Sequence, residues 1–372
     1  MKKLFYFLLV IFPALACEKE WPPATGLEAK IAQLVEPHLV LGQAPGYEIG
    51  ILKNGSTQFY AFGVQNRETG DPFDEFSIGE IGSITKTFTA LWFAQEVSLG
   101  RLSLEDSVNT YLPEALRLPS KNGQPIRLIH LLNHTSGLPR EPADITGVLK
   151  SDQPFDYTAD RLADFLKSWQ PGHVAGEHFA YSNLGMGLAG YLIQELTDST
   201  YAQQIQSRIL QPLQLSHTFC NHGQQPPANV AQGYLGAKPY PFFEMTAIFE
   251  GAGCIKSNAF DLMQYLKAAM HPEQTPLEAA FRLAQTPTHQ LASTLDFGPE
   301  TFLDGQIGLG WFTFKNDKGE NFYFHNGGTY GFNSFLLFNR EAELGVVILS
   351  NGGFTGNLNG LGAAIMTLLA EE

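Results

Sequence analysis

Apolar positions along the chain change period several times, and those changes divide it into elements. Ile31, Leu34, Val35 and Leu39 or Val40 fall on one stripe of a helix over 29–40. Residues 47–53 and 57–62 alternate as strands around Asn54-Gly55, a pair suited to the positive φ angles of a two-residue hairpin turn. From Ser83 to Leu99 the chain is apolar nearly all round (Phe88, Leu91, Trp92, Ala94, Val97) and stops at Gly100. Such a helix has no polar face for water, so it belongs inside the molecule. Helical patterns follow at 158–169, where Thr158 can cap, at 183–196, and at 201–210 before Pro212. Strand patterns return at 308–315, 321–325, 333–338 and 344–349, with a turn at 316–319 and a last helix over 361–370.

This order predicts an α+β fold: an antiparallel sheet flanked by helices, plus an inserted, mainly helical subdomain. The two ends of the chain, about 27–105 and 251–372, would share the α/β layer, and the helical insert would span about 106–250. A cleft between layer and insert is the default place for a site.

The first residues follow different rules. Met1-Lys2-Lys3, the apolar run 4–12 and Ala14-Leu15-Ala16 have the order of a secretory signal peptide over residues 1–16. The run is far shorter than the roughly 20 residues that a membrane span needs. Cys17 then stands where a bacterial lipoprotein carries its acylated cysteine, and 17–26 reads as an exposed tether. The expectation is an exported protein of a bacterial cell envelope, lipid-anchored at Cys17, with a periplasmic or freely secreted form as the alternative. Cys220 and Cys254 could pair if the protein is exported to an oxidising compartment, but unpaired buried cysteines are common and the sequence leaves the pairing open.

Composition narrows the partners. With 23 Lys and Arg against 37 Asp and Glu, the net charge is −14, which argues against nucleic acid and against an anionic membrane surface. Membrane contact would come only through a lipid on Cys17. Three cysteines make no disulfide scaffold, and His173 and His178 lie among glycines in a loop, so neither metal nor organic cofactor is expected.

The chemistry-bearing residues form three separated elements. In Ser83-Ile84-Thr85-Lys86 the helical period puts hydroxyl and ammonium on one face, close to free N–H groups at a helix start. A serine needs such a neighbour to lose its proton. No other serine has lysine three residues on, and no other tyrosine than Tyr181 opens a Tyr-x-Asn. The third element is His325-Asn326-Gly327-Gly328 at a strand end.

In this order the three resemble the motifs of the serine β-lactamase and penicillin-binding-protein superfamily. The tyrosine points to the class C β-lactamase-like branch and its D-alanyl-D-alanine carboxypeptidase/endopeptidase-like subgroup. Residues 76–83, 131–139 and 251–253 add to the likeness. The resemblance implies a β-lactamase/transpeptidase-like fold. It also implies Ser83 as nucleophile, Lys86 and Tyr181 as proton-handling groups, and Asn183, His325, Asn326 and Gly327 as substrate contacts. The backbone N–H groups of Ser83 and Gly328 would hold the oxyanion. Which of Lys86 and Tyr181 is the base stays open. The implied activity is hydrolysis of peptide-like amides, such as D-Ala-D-Ala ends of peptidoglycan, or of β-lactams or esters. The alternative is a penicillin sensor or scaffold that acylates without efficient turnover. His325-Asn326 stands where β-lactamases usually carry Lys-Thr. Histidine offers a cation only when protonated, so carboxylate recognition is expected to weaken as pH rises.

Overall fold

The structure is a computed structural model that describes residues 26–145, 155–220, 229–291, 295–296, 301–353 and 358–372. The signal-peptide segment, Cys17 and most of the tether lie outside the described residues.

Asn54 and Gly55 take φ values of 49° and 78°, and the hairpin they close pairs Gly46–Lys53 with Ser56–Gly63. Its inner strand also pairs antiparallel with Leu344–Ser350, so the two ends of the chain share one sheet. Outward from there come Asn333–Asn339, Asn321–Gly328, Phe312–Lys315, Thr301–Ile307 and His289–Gln290, every pairing antiparallel. Alternation gives this sheet two apolar faces. Ile49, Phe324, Leu337 and Ile348 pack toward Ile31 and Val35 of the first helix (Leu27–Val40) and Ile365 of the last (Leu358–Glu371). Leu336, Val347 and Leu349 face the other way, into a core shared with Phe88, Leu266 and Trp311.

The helix after Ser83 runs Thr85–Ser98, with every residue from Thr85 to Ala94 buried. The middle of the chain supplies the helices Ala159–Leu166, Asn183–Thr197 and Tyr201–Ile205. It is less uniformly helical than its pattern suggests. Short strands at Phe219–Cys220, Gly233–Leu235, Lys238–Tyr240 and Met245–Ala247 interrupt it, and its helices bury their apolar sides in the same core as the sheet. The strand expected over 308–315 begins only at Phe312. Gly308 N–H donates to the Trp311 carbonyl in a turn, with Gly310 at φ 70°. Cys220 and Cys254 are buried free thiols. No helix among the described residues is long and apolar enough to cross a membrane.

Candidate active site

Ser83 sits in a single 3-10 turn, Gly82–Ile84, that leads into the buried helix. Two contacts hold that turn. Ile81 N–H donates to the Ile255 carbonyl at 3.1 Å, and the Ser334 hydroxyl donates to the Ile81 carbonyl at 2.7 Å. Gly82 has φ 48°, and a Cβ there would lie 2.7 Å from Gly328 N; a Cβ on Gly327 would lie 2.0 Å from the Ile81 carbonyl and 2.8 Å from Ser83 N. Only glycines allow the end of strand Asn321–Gly328 to lie this close to the serine turn. The closeness puts the backbone nitrogens of Ser83 and Gly328 on the two sides of this contact.

One turn beyond Ser83, at the start of the helix, Lys86 Nζ lies 2.8 Å from Ser83 Oγ and donates to the Ala252 carbonyl at 2.7 Å. That carbonyl is in reach because Glu250–Gly253 crosses Asn183–Thr197 at a glycine pair: a Cβ on Gly190 would lie 2.6 Å from Gly251 Cα. Lys86 is fully buried, and burial pushes its amine well below the ordinary lysine range. The Arg140 guanidinium pushes it further down, while Glu141 pulls the other way.

Tyr181 lies close enough to Ser83 for the serine hydroxyl to bear on its phenol. Burial raises its phenol to about 12, against the opposing effects of the Ser83 hydroxyl and of Arg140. Lys86 Nζ lies 5.1 Å and Arg140 Cζ 5.0 Å from the centroid of its ring. The tyrosine is held from behind by His134, a residue the sequence motifs mark only as part of a supporting stretch. His134 adopts φ 60°, accepts the Ala180 N–H on its carbonyl and the Ser182 N–H on Nδ1, and packs its ring, tilted by 32°, 4.4 Å from the Tyr181 ring. Burial drives its imidazole well below the usual histidine range, so it is a neutral support. Ser182 caps the next helix by accepting from Gly185 N–H at 2.8 Å, while donating to the Pro139 carbonyl at 2.7 Å. Asn183, the first residue of that helix, donates through Nδ2 to Glu141 at 2.7 Å.

His325 stands near this group, but as a different species from the expected one. It is 1% exposed, packs against Phe312 and Tyr181, and its Nδ1 donates to the Asn326 carbonyl at 2.6 Å. Burial, aided by Lys86, lowers its pKa to about 3. The expected pH-dependent cation is therefore corrected to a neutral imidazole at physiological pH. Asn326 also departs from expectation. Strand alternation turns it away from the Gly327 face, and its Nδ2 donates to Asn359 of the last helix at 2.9 Å. The sequence does not single out Arg140 and Glu141 at all. Both line a cavity of about 200 Å³, together with Ser83, Asn183, Phe243 and Tyr330.

A serine hydroxyl against a buried lysine amine, beside the backbone of a glycine-rich strand end, is an arrangement that can serve acyl transfer. The beta-lactamase family model matches residues 28–370, and the chain belongs to the beta-lactamase family. It is 25% identical over 367 residues to a beta-lactamase of Yersinia enterocolitica, covering 88% of each chain. To a beta-lactamase of Providencia stuartii it is 30% identical over 244 residues, which is 65% of this chain and 60% of that one. Protein flp of Staphylococcus aureus is 30% identical over 331 residues, 87% of this chain and 63% of that protein. Among solved structures, an octameric penicillin-binding protein homologue from Pyrococcus abyssi superposes with a TM-score of 0.76 at 28% identity, covering 91% of this chain and 77% of that one. These relatives support a serine hydrolase of the β-lactamase superfamily.

Proposed function

We propose that the protein is an exported serine hydrolase that forms a Ser83 acyl-enzyme with peptide-like amides, such as D-Ala-D-Ala peptides, and with esters or β-lactams. The observation that carries this reading is the buried Lys86 amine 2.8 Å from Ser83 Oγ. An amine biased toward its neutral form has a lone pair to accept the serine proton as Oγ attacks the substrate carbonyl. The oxyanion then sits between the N–H groups of Ser83 and Gly328, where one donor is typically worth about 3 kcal/mol. A phenol raised to about 12 holds its proton at neutral pH, so Tyr181 is the acid: it protonates the leaving nitrogen, and the proton taken up by Lys86 restores it. Water repeats the sequence in reverse on the acyl-enzyme. The base assignment that the motifs leave open thus falls to Lys86. A neutral His325 puts no cation at the Gly327 strand end, which favours neutral esters over substrates that need a carboxylate held there, β-lactams among them.

Export with a lipid on Cys17 belongs to the same proposal and rests on the order of residues 1–17. Fractionation and N-terminal mass analysis test it: a soluble chain starting at Cys17 with a free amine would leave secretion without an anchor. For the activity, the purified protein is assayed with nitrocefin, a D-Ala-D-Ala peptide and a p-nitrophenyl ester. Turnover of at least one, lost in Ser83→Ala, is the expected result. A product burst equal to the enzyme, without steady turnover, would replace the hydrolase with a sensor.

A further inference from the structure

The cavity beside Ser83 carries a charged pair that the acyl-transfer chemistry does not use. Arg140 and Glu141 follow Pro139, and the Arg140 carbonyl accepts the N–H groups of Asn183 and Leu184 at 3.0 and 3.1 Å. The arginine backbone is therefore fixed to the start of the helix that presents Asn183. Its side chain is held more loosely: it is 63% exposed, lies over the Tyr181 ring with Cζ 5.0 Å from the centroid, and Nε approaches the Glu141 carboxylate at 3.6 Å. Among the described residues the guanidinium makes no hydrogen bond to the protein, although it has five N–H donors to offer. It is also the one cation lining the cavity among the described residues. Lys86 is buried under Ser83, and the imidazoles of His134 and His325 are buried and neutral.

Asn183 supplies a second, independent observation. Its Nδ2 is taken by Glu141, while its Oδ1 is buried with no partner among the described residues. The amide is half engaged, and by a residue whose charge opposes any anion that enters.

We infer that Arg140 is the specificity residue of the site: it selects substrates that carry a carboxylate on the part of the molecule lying along the Asn183 wall. The planar guanidinium suits a bidentate grip on that carboxylate. Arg140 then leaves Glu141 for the substrate, and like-charge repulsion moves the Glu141 carboxylate off Asn183. Asn183 Nδ2 becomes available to the substrate's own carbonyl. The inference rests on the Ser83 acyl-enzyme reading and adds to it the class of acyl group.

The test compares p-nitrophenyl esters of adipic acid and adipamic acid, which differ only by carboxylate against carboxamide on the acyl side. Wild-type kcat/KM should favour the carboxylate by about 10- to 100-fold, the range of a good charge-assisted pair. In Arg140→Gln the ratio should fall to near one, and Arg140→Lys should keep part of it. Glu141→Gln should raise kcat/KM for the carboxylate ester several-fold by removing the competing anion. Arg140 also bears on the Lys86 amine, so Arg140→Gln should move the acid limb of the pH profile for both esters alike; the ratio is free of that effect. A wild-type ratio near one, or a ratio unchanged in Arg140→Gln, overturns the inference while leaving Ser83 as nucleophile. Turnover that survives Ser83→Ala overturns the acyl-enzyme reading itself.

Discussion

Lys86 is placed where its chemistry and its stability conflict. A lysine with a depressed folded pKa binds no proton in the native state at a pH where the unfolded chain does. Between the two pKa values stability therefore rises with pH, and near neutrality the residue costs the fold. Lys86→Met should abolish turnover and melt several degrees higher at pH 7, a gain that fades as pH approaches the unfolded lysine value near 10.5. Thermal melts across that range check it; a variant less stable at pH 7 would contradict the account. His325 yields the converse prediction. With a pKa of about 3 it stays neutral from pH 5 to 8, so the ratio of kcat/KM for carboxylate and neutral esters should be flat over that interval. A ratio falling through pH 6.5 would restore the histidine as the cation.

At the scale of elements, the site is a meeting of backbone segments that glycines permit. In Gly327→Ala the new methyl would meet the Ile81 carbonyl at 2.0 Å, so the strand end must retreat from the serine turn and take Gly328 N–H with it. A loss of about 10²- to 10³-fold in kcat is expected, the usual effect of removing one oxyanion donor, with a lowered melting temperature. Kinetics and melts on the same preparation would show it, and near wild-type kcat would mean that this strand end does not serve the oxyanion. Such close approaches explain what the chain announces and what it hides. The Asn54-Gly55 turn and the Ser83–Lys86 spacing are local, one fixed by φ and the other by the helical period, and both are legible. Thr301–Ile307 has Asp304 and Gly305 inside it and is held as a strand by its neighbours, so no pattern marks it. The charge state of His325 depends on Phe312, Tyr181 and Lys86 closing around it. Arg140 and Glu141 matter only because the helix start at Asn183 docks on them. None of that proximity is written in spacing.

Across the whole molecule, the sheet and the middle helices close over one core that runs from Ile81 and Phe88 through Leu188 and Leu266 to Leu349. The serine turn shares this interior with the middle helices, while Phe179, Tyr181 and Phe324 pack in the apolar cluster on the sheet's other face, so the site straddles both layers of one continuous sheet. Calorimetry should show a single unfolding transition, raised when a slowly released acyl group occupies the site. Two separated transitions would mean that the middle segment folds independently of the sheet.

The central claim is that Ser83 forms a covalent acyl or equivalent adduct. Intact-protein mass spectrometry after treatment with a fluorophosphonate, followed by peptide mapping, tests it most directly. One adduct per chain is expected, on Ser83, and none in Ser83→Ala. An adduct on Ser136 or Ser182 instead, or one that persists in Ser83→Ala, would contradict it.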